Sequence, residues 1–296
     1  MLKSISIRRD GGFGDMLMIF TLFNSLKNKG FEVDFRCSTH WNHKFLNQQN
    51  FIDKVSDNFK TIDIDLYDNE HREEYRQTHV FESFKHRIES YVTEDLDVEL
   101  FKLNFIEKDE KLVSKFLQKI NKPIILINAK ANVLNRSLTD SNIKNICVEL
   151  NSIGTVININ NNYFVENKKV INIFKDVFNP DISLLACLIN QADILVTTNT
   201  GTMHLGNCMH KKVVSIDQTF YSSNYNIYNN PNFEIISSNL ECLGCESHGG
   251  CKIDNNVGTY TKKDENGKIH GEDKYPLCSI IEPHKVVKAV NNLINN

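Results

Sequence analysis

The run PIILINA (123–129) constrains the fold more than any other stretch, because nearly every residue in it is apolar. Successive side chains of a strand point to opposite faces, so an unbroken apolar run belongs to a strand covered on both sides. Helices on the two faces of a parallel sheet supply that cover, which makes the chain an α/β protein. The spacing around the run agrees. Helices are expected at 140–152, 182–192, 201–210 and 283–296, and strands at 155–160, 169–173, 193–198 (DILVTT) and 212–217 (KVVSID).

An earlier unit has the same alternation. SISIRR (4–9) reads as a strand, 16–30 as an amphipathic helix ending at Gly30, and FEVDFRC (31–37) as a strand with Phe31, Val33 and Phe35 on one face. Short connections make this a βαβ opening with a right-handed crossover. The middle is less regular. KTIDIDLY (60–67) and VELFKL (98–103) are expected as strands, and 71–92 and 110–120 as helices. The restart at Pro123 puts a domain boundary near residue 120, giving domains 1–120 and 121–296.

Composition excludes several classes. Of 296 residues, 41% are hydrophobic and 24% charged, which is ordinary for a globular protein. The formal net charge of -3 provides no basic field for nucleic acid, so a zinc-ribbon nucleic-acid binder is disfavoured. No apolar run approaches the roughly 20 residues of a membrane span. The opening MLKSISIRRDGG has no secretory core, so the expected compartment is the cytoplasm. Of eight Cys, Cys37, Cys147, Cys187 and Cys208 lie among apolar neighbours and read as small core residues.

Two loops carry chemistry. Arg9-Asp10-Gly11-Gly12-Phe13-Gly14-Asp15 links the first strand to the first helix, at the carboxyl end of the sheet where open α/β folds bind ligands. It is not a dinucleotide fingerprint, because Leu17 stands where the third Gly would fall. Asp15 is either a first-turn carboxylate favoured by the helix dipole or a general base at a cleft. Thr197-Thr198-Asn199-Thr200-Gly201-Thr202-Met203-His204 repeats the arrangement after DILVTT. Thr hydroxyls and open N–H groups at a helix start form a phosphate cradle, although Thr200 or Thr202 could serve only as an N-cap and His204 only the fold. Facing each other, the two loops would line an interdomain cleft.

Cys242, Cys245, Cys251 and Cys278 follow the spacing C-x2-C-x5-C-x26-C. Four thiolates suit a closed tetrahedral site for zinc or iron, structural rather than catalytic, across segment 242–278. Free thiols or a redox pair are the alternatives, and His248 and His270 are candidate substitutes for one ligand.

The strand followed by GGFGDMLM, the stretch ADILVTTNTGTMHLGNCMHKKVVSID and the segment INAKANVLNRSLT (127–139) together resemble glycosyltransferase family 9, the heptosyltransferases. The resemblance implies a GT-B fold with two Rossmann-like domains, the first on the acceptor side and the second holding the nucleotide sugar. The C-terminal helix would cross back to the first domain. It also implies an inverting transfer of heptose or a similar sugar from a nucleotide-diphosphate sugar to a glycan or protein acceptor, without a catalytic metal.

By resemblance, Asp15 is the base, Arg9 assists it, and Arg136 meets the departing diphosphate. Gly14, Asn199, Thr200, Gly201, Thr202 and His204 hold the donor. Three departures stand out: Asn199 replaces the family's Asp, Arg136 its more usual Lys, and Lys212 stands where the family often has Pro. Asn199 supports an alternative, a non-catalytic GT-B-like sugar- or nucleotide-binding or assembly protein. The four-Cys pattern is similar to the iron-binding motif of the autotransporter heptosyltransferases, which favours iron over zinc. An oligomer is compatible with the sequence.

Overall fold

The computed structural model describes residues 3–38, 42–66, 80–132, 134–161, 163–177, 180–219, 226–238, 240, 243 and 275–295. The chain divides into two compact units, residues 1–110 with 181–186, and residues 111–180 with 187–296. Each has its own sheet, and every strand pairing among the described residues is parallel.

The first unit runs β1 (Lys3–Arg8), α1 (Phe13–Asn28), β2 (Phe31–Arg36), α2 (His43–Leu46), β3 (Lys54–Ser56), β4 (Ile64–Asp65) and α3 (Val80–Val92). Its strand order is β3-β2-β1-β4, which reverses direction between β1 and β4. Helix α1 is not one-sided as its sequence suggests. Phe13, Met16 to Phe23 and Leu26 are all buried, including Thr21, whose hydroxyl bonds to Met18 O at 2.6 Å. Phe20 lies 5.4 Å edge-on to Phe35, and Phe51 lies 4.9 Å from Phe101.

That cover explains one correction. Residues 98–103 are not a strand, although Phe101 and Leu103 are buried with Lys102 exposed between them. Their backbone is held by helix α1 instead: Glu99 N–H donates to Thr21 O (2.9 Å), and Leu100 O accepts from Asn24 Nδ2 (3.3 Å). The strand expected over 60–67 shrinks to Ile64–Asp65 among the described residues, and the short β3 was not anticipated.

Helix α4 (Glu107–Leu117) contains the division between the units. The second unit continues with β5 (Ile124–Asn128), a 3-10 turn (Leu134–Arg136), α5 (Asp140–Leu150), β6 (Thr155–Asn158), β7 (Val170–Asn172) and α6 (Ile173–Asp176). Then come α7 (Ile182–Gln191), whose residues up to Ala186 belong to the first unit, β8 (Ile194–Thr198), α8 (Gly201–Cys208), β9 (Val213–Asp217), β10 (Phe233–Ser237), a second 3-10 turn (Leu277–Ser279) and α9 (Pro283–Asn295). The strand order β10-β9-β8-β5-β6-β7 reverses between β5 and β8. This is the doubly wound arrangement, in which ligands bind beyond the carboxyl ends at the reversal.

Strands β5, β8 and β9 are buried at every residue, as their apolar runs require. Helix α9 places Val286, Ala289, Val290 and Leu293 in the core of the second unit, with Ile125, Val196, Val214 and Ile216. The expected crossing of this helix to the first domain is therefore replaced by packing on the second unit's own sheet. Cys37, Cys147, Cys187 and Cys208 are all buried, matching the core reading. No helix of the described residues is long and apolar enough to cross a membrane.

Candidate functional site

In the first unit, the loop after β1 lies where the strand order reverses. Arg9 ends it on one side and Leu66 follows β4 on the other; Arg9 Nη1 donates to Leu66 O at 3.1 Å. The same guanidinium stacks over the Phe84 ring, 5.1 Å from its centroid, and Nη2 donates to Asp15 Oδ2. The pair is partly open, with the Arg9 side chain 13% exposed and Asp15 28%. Two anticipated residues thus form one unit, a carboxylate held in place by a fixed cation.

Gly11 makes this possible: a Cβ there would lie 2.9 Å from the Arg9 guanidinium carbon. Gly12 is the N-cap of α1 and, having no side chain, gives the helix start no side-chain cap bond. Helices α2 and α5, by contrast, are capped by Asn42 and Thr139.

Cys37 stands near this loop, its Sγ 3.6 Å from His43 Nε2. Burial, reinforced by Asp10 and Asp57, pushes its thiol up to about 12. The thiol keeps its proton at neutral pH, so the pair is no nucleophile–base couple.

In the second unit, the loop after β8 also sits at the reversal. Thr200 is the N-cap of α8 and again makes no side-chain cap bond. Its hydroxyl turns sideways, 2.7 Å from Thr202 Oγ1 and 3.2 Å from Thr197 Oγ1. The start of α8 therefore keeps its open N–H groups, where a helix favours an anion.

Two further polar groups sit here without partners among the described residues. Asn199 is 6% exposed and its Nδ2 has no acceptor, while Thr198 is fully buried with its Oγ1 unbonded. Burying a polar group without a partner costs about 1–3 kcal/mol, which a ligand oxygen at Asn199 would offset. His204 lies in the first turn, 5% exposed, its ring edge-on to Tyr228 at 6.3 Å.

Arg136 is half-buried in the 3-10 turn Leu134–Arg136. The turn is tied to the end of β9: Thr219 Oγ1 donates to Asn135 O (3.2 Å) and Gln218 Nε2 to Ser137 O (3.1 Å). Arg136 thus stands at the carboxyl side of the same sheet as Thr200 and Thr202, in a separate turn.

Sequence reasoning missed Lys130. It is 9% exposed, with Nζ donating to Leu138 O (2.8 Å), Tyr275 OH (2.7 Å) and Asp140 Oδ1. Tyr163 and Tyr275 offer ring faces at 5.0 and 4.6 Å. A lysine two residues past an apolar strand carries no motif, and only the fold reveals this cage.

Of the four anticipated metal ligands, Cys242, Cys245 and Cys251 lie outside the described residues, as do His248 and His270. Cys278 is buried in the second 3-10 turn, at 7% exposure. Among the described residues, no group of three or more His, Cys, Asp or Glu is placed to hold an ion.

No family model matches the chain, and no curated protein matches it by sequence. Solved structures do match in fold. A glycosyl transferase family 9 protein from Veillonella parvula DSM 2008 is 13% identical with a TM-score of 0.67, over 99% of this chain and 97% of its own. The E. coli ADP-heptose lipopolysaccharide heptosyltransferase II is 13% identical with a TM-score of 0.62, over 99% and 98%. The iron-containing dodecameric glycosyltransferase TibC of enterotoxigenic E. coli H10407 is 13% identical with a TM-score of 0.65, over 99% of this chain and 79% of its own. At this identity the likeness is one of fold: an α/β chain with two parallel sheets, of the GT-B glycosyltransferase type.

Proposed function

We propose that this chain is a glycosyltransferase that moves a sugar, heptose or a close relative, from a nucleoside diphosphate to a glycan or protein acceptor. One observation carries the reading. At the reversal of strand order in each sheet, a helix begins without a side-chain cap, beside a held carboxylate in one unit and a hydroxyl cluster in the other. A transfer of this kind needs a base on the acceptor oxygen and hydrogen-bond donors on the leaving diphosphate.

In this reading Asp15 takes the proton from the acceptor hydroxyl as that oxygen attacks the sugar's anomeric carbon. The bond to the diphosphate oxygen breaks, and attack opposite the leaving group inverts the centre. Arg9 keeps the carboxylate in place. The α8 N–H groups at Gly201 and Thr202, with Thr200 and Arg136, receive the charge on the diphosphate. Helix dipole and basic side chains do this work without a catalytic metal. Residues 1–120 form the acceptor side and 121–296 the nucleotide-sugar side, in the cytoplasm.

Asn199 favours a second reading, a binding or assembly protein that kept the fold and lost the chemistry. An amide cannot take a proton or carry charge at the sugar as a carboxylate does. The test is a thermal-shift series with nucleoside diphosphates, since a ligand of the native state raises the melting temperature. The donor reading expects a shift with a nucleoside diphosphate that exceeds the shift with its nucleoside. Arg136→Ala should weaken the diphosphate more than the nucleoside. Equal losses would remove Arg136 from the phosphate site.

The four-Cys segment belongs to the same proposal. Cys242, Cys245, Cys251 and Cys278 would hold one structural ion, iron in preference to zinc. The donor set fits, because four thiolates close a tetrahedral site. The described end of the segment also fits: Cys278 is anchored beside Ser279, whose backbone O accepts Thr139 N–H at 3.1 Å and whose Oγ receives Gln218 Nε2 at 3.4 Å.

A further inference from the structure

Strands β5 and β8 pair so that Asn128 stands beside Thr197. Asn128 is 9% exposed and ends β5, at the point where the sheet reverses. Its Nδ2 donates to Thr202 Oγ1 at 2.6 Å. Thr202 Oγ1 lies 2.7 Å from Thr200 Oγ1 and 3.1 Å from Thr197 Oγ1. Thr197 Oγ1 in turn donates to Thr198 O at 2.9 Å.

Each hydroxyl has one proton and two lone pairs. The Thr197 proton is committed to a carbonyl, so Thr197 accepts from its neighbours. Thr202 accepts from Asn128 and is held by it. Either hydroxyl of the Thr202–Thr200 pair can donate in the 2.7 Å contact that holds Thr200. The contact of Thr200 with Thr197, at 3.2 Å, is the longest of the set. Thr200 is only half-buried, so it is the end of the chain that a ligand can reach.

We propose that Asn128 is a positioning residue: its amide N–H holds the Thr202 hydroxyl, and through it the Thr200 hydroxyl, where Thr200 can donate to a phosphate oxygen of the donor. This assignment rests on the donor reading above. An apolar group at 128 would remove the N–H that holds Thr202, and with it the fixed place of the Thr200 hydroxyl.

The test is a double-mutant cycle of Asn128→Leu and Thr200→Val, titrated with ADP and UDP and with adenosine and uridine. Each single variant is expected to weaken the diphosphate about tenfold, the size of one hydrogen bond to a charged group. Nucleoside affinity stays within about twofold. The double variant is no weaker than either single one to within about twofold, because both break the same chain. Losses that multiply in the double variant, or that are equal for nucleoside and diphosphate, overturn the assignment. Should Asn128→Leu fail to fold, Asn128→Ala takes its place in the cycle, with the same expected outcomes. A wild-type protein that binds neither diphosphate overturns the donor reading and this assignment together. One that binds while the Asn128 variants bind equally well overturns the assignment alone.

Discussion

At the scale of single residues, the first loop turns on how a carboxylate is held. Asp15 is bonded by Arg9, and Arg9 is fixed by Leu66 O, the Phe84 ring and the space that Gly11 leaves. Asp15→Asn keeps the shape and removes the base. Turnover should fall by about 10²–10⁴-fold while nucleotide affinity survives; an unchanged rate would take Asp15 out of the mechanism. Much of this was legible, because a Gly-rich turn between an apolar strand and helix limits where Asp15 and Arg9 can stand. The partners Leu66 and Phe84 were not legible, since neither is near in sequence. Asn128 was missed for a related reason: a polar residue at the end of an apolar run reads as an edge, and its role exists only once β8 lies beside β5.

At the scale of elements, legibility follows burial. β5, β8 and β9 are buried on both faces, and their apolar runs announce it. β10 (Phe233–Ser237) is only partly covered, its sequence FEIIS is mixed, and it was not anticipated. Residues 98–103 show the converse error, because alternation reports a half-buried extended segment whether it packs on a sheet or on helix α1. Helix α8 sets the second loop's position through Gly206, where a Cβ would lie 2.8 Å from Leu195 Cδ2 and 3.0 Å from Val213 Cγ2. Gly206→Ala should push the helix off the sheet and cost about 1–3 kcal/mol of stability. It should also weaken diphosphate binding, because the N–H groups move with the helix. Denaturant melts and titration check both; an unchanged midpoint would mean that the helix yields without strain.

At the scale of the whole molecule, the sequence conveyed two α/β units and the restart at Pro123, while the share of residues 181–186 in the first unit needed the fold. The metal proposal also belongs here, because an ion on Cys242, Cys245, Cys251 and Cys278 would brace the turn of Cys278 and Ser279, and through Gln218 the turn of Arg136. Protein purified without added metal should carry about one iron or zinc per chain, consistent with a four-thiolate site. Cys245→Ser should lose the ion and melt at lower temperature; a metal-free wild type of undiminished stability would rule the site out. The central claim, sugar transfer, is tested most directly by turnover. Purified wild type and Asp15→Asn are incubated with heptose donors on ADP and on other nucleoside diphosphates, together with acceptor glycans or proteins, and released nucleoside diphosphate and glycosylated product are measured. The account predicts equimolar nucleoside diphosphate and product from the wild type and a loss of about 10²–10⁴-fold in the variant. A wild type that binds a nucleotide sugar but releases no nucleoside diphosphate and forms no product would contradict it.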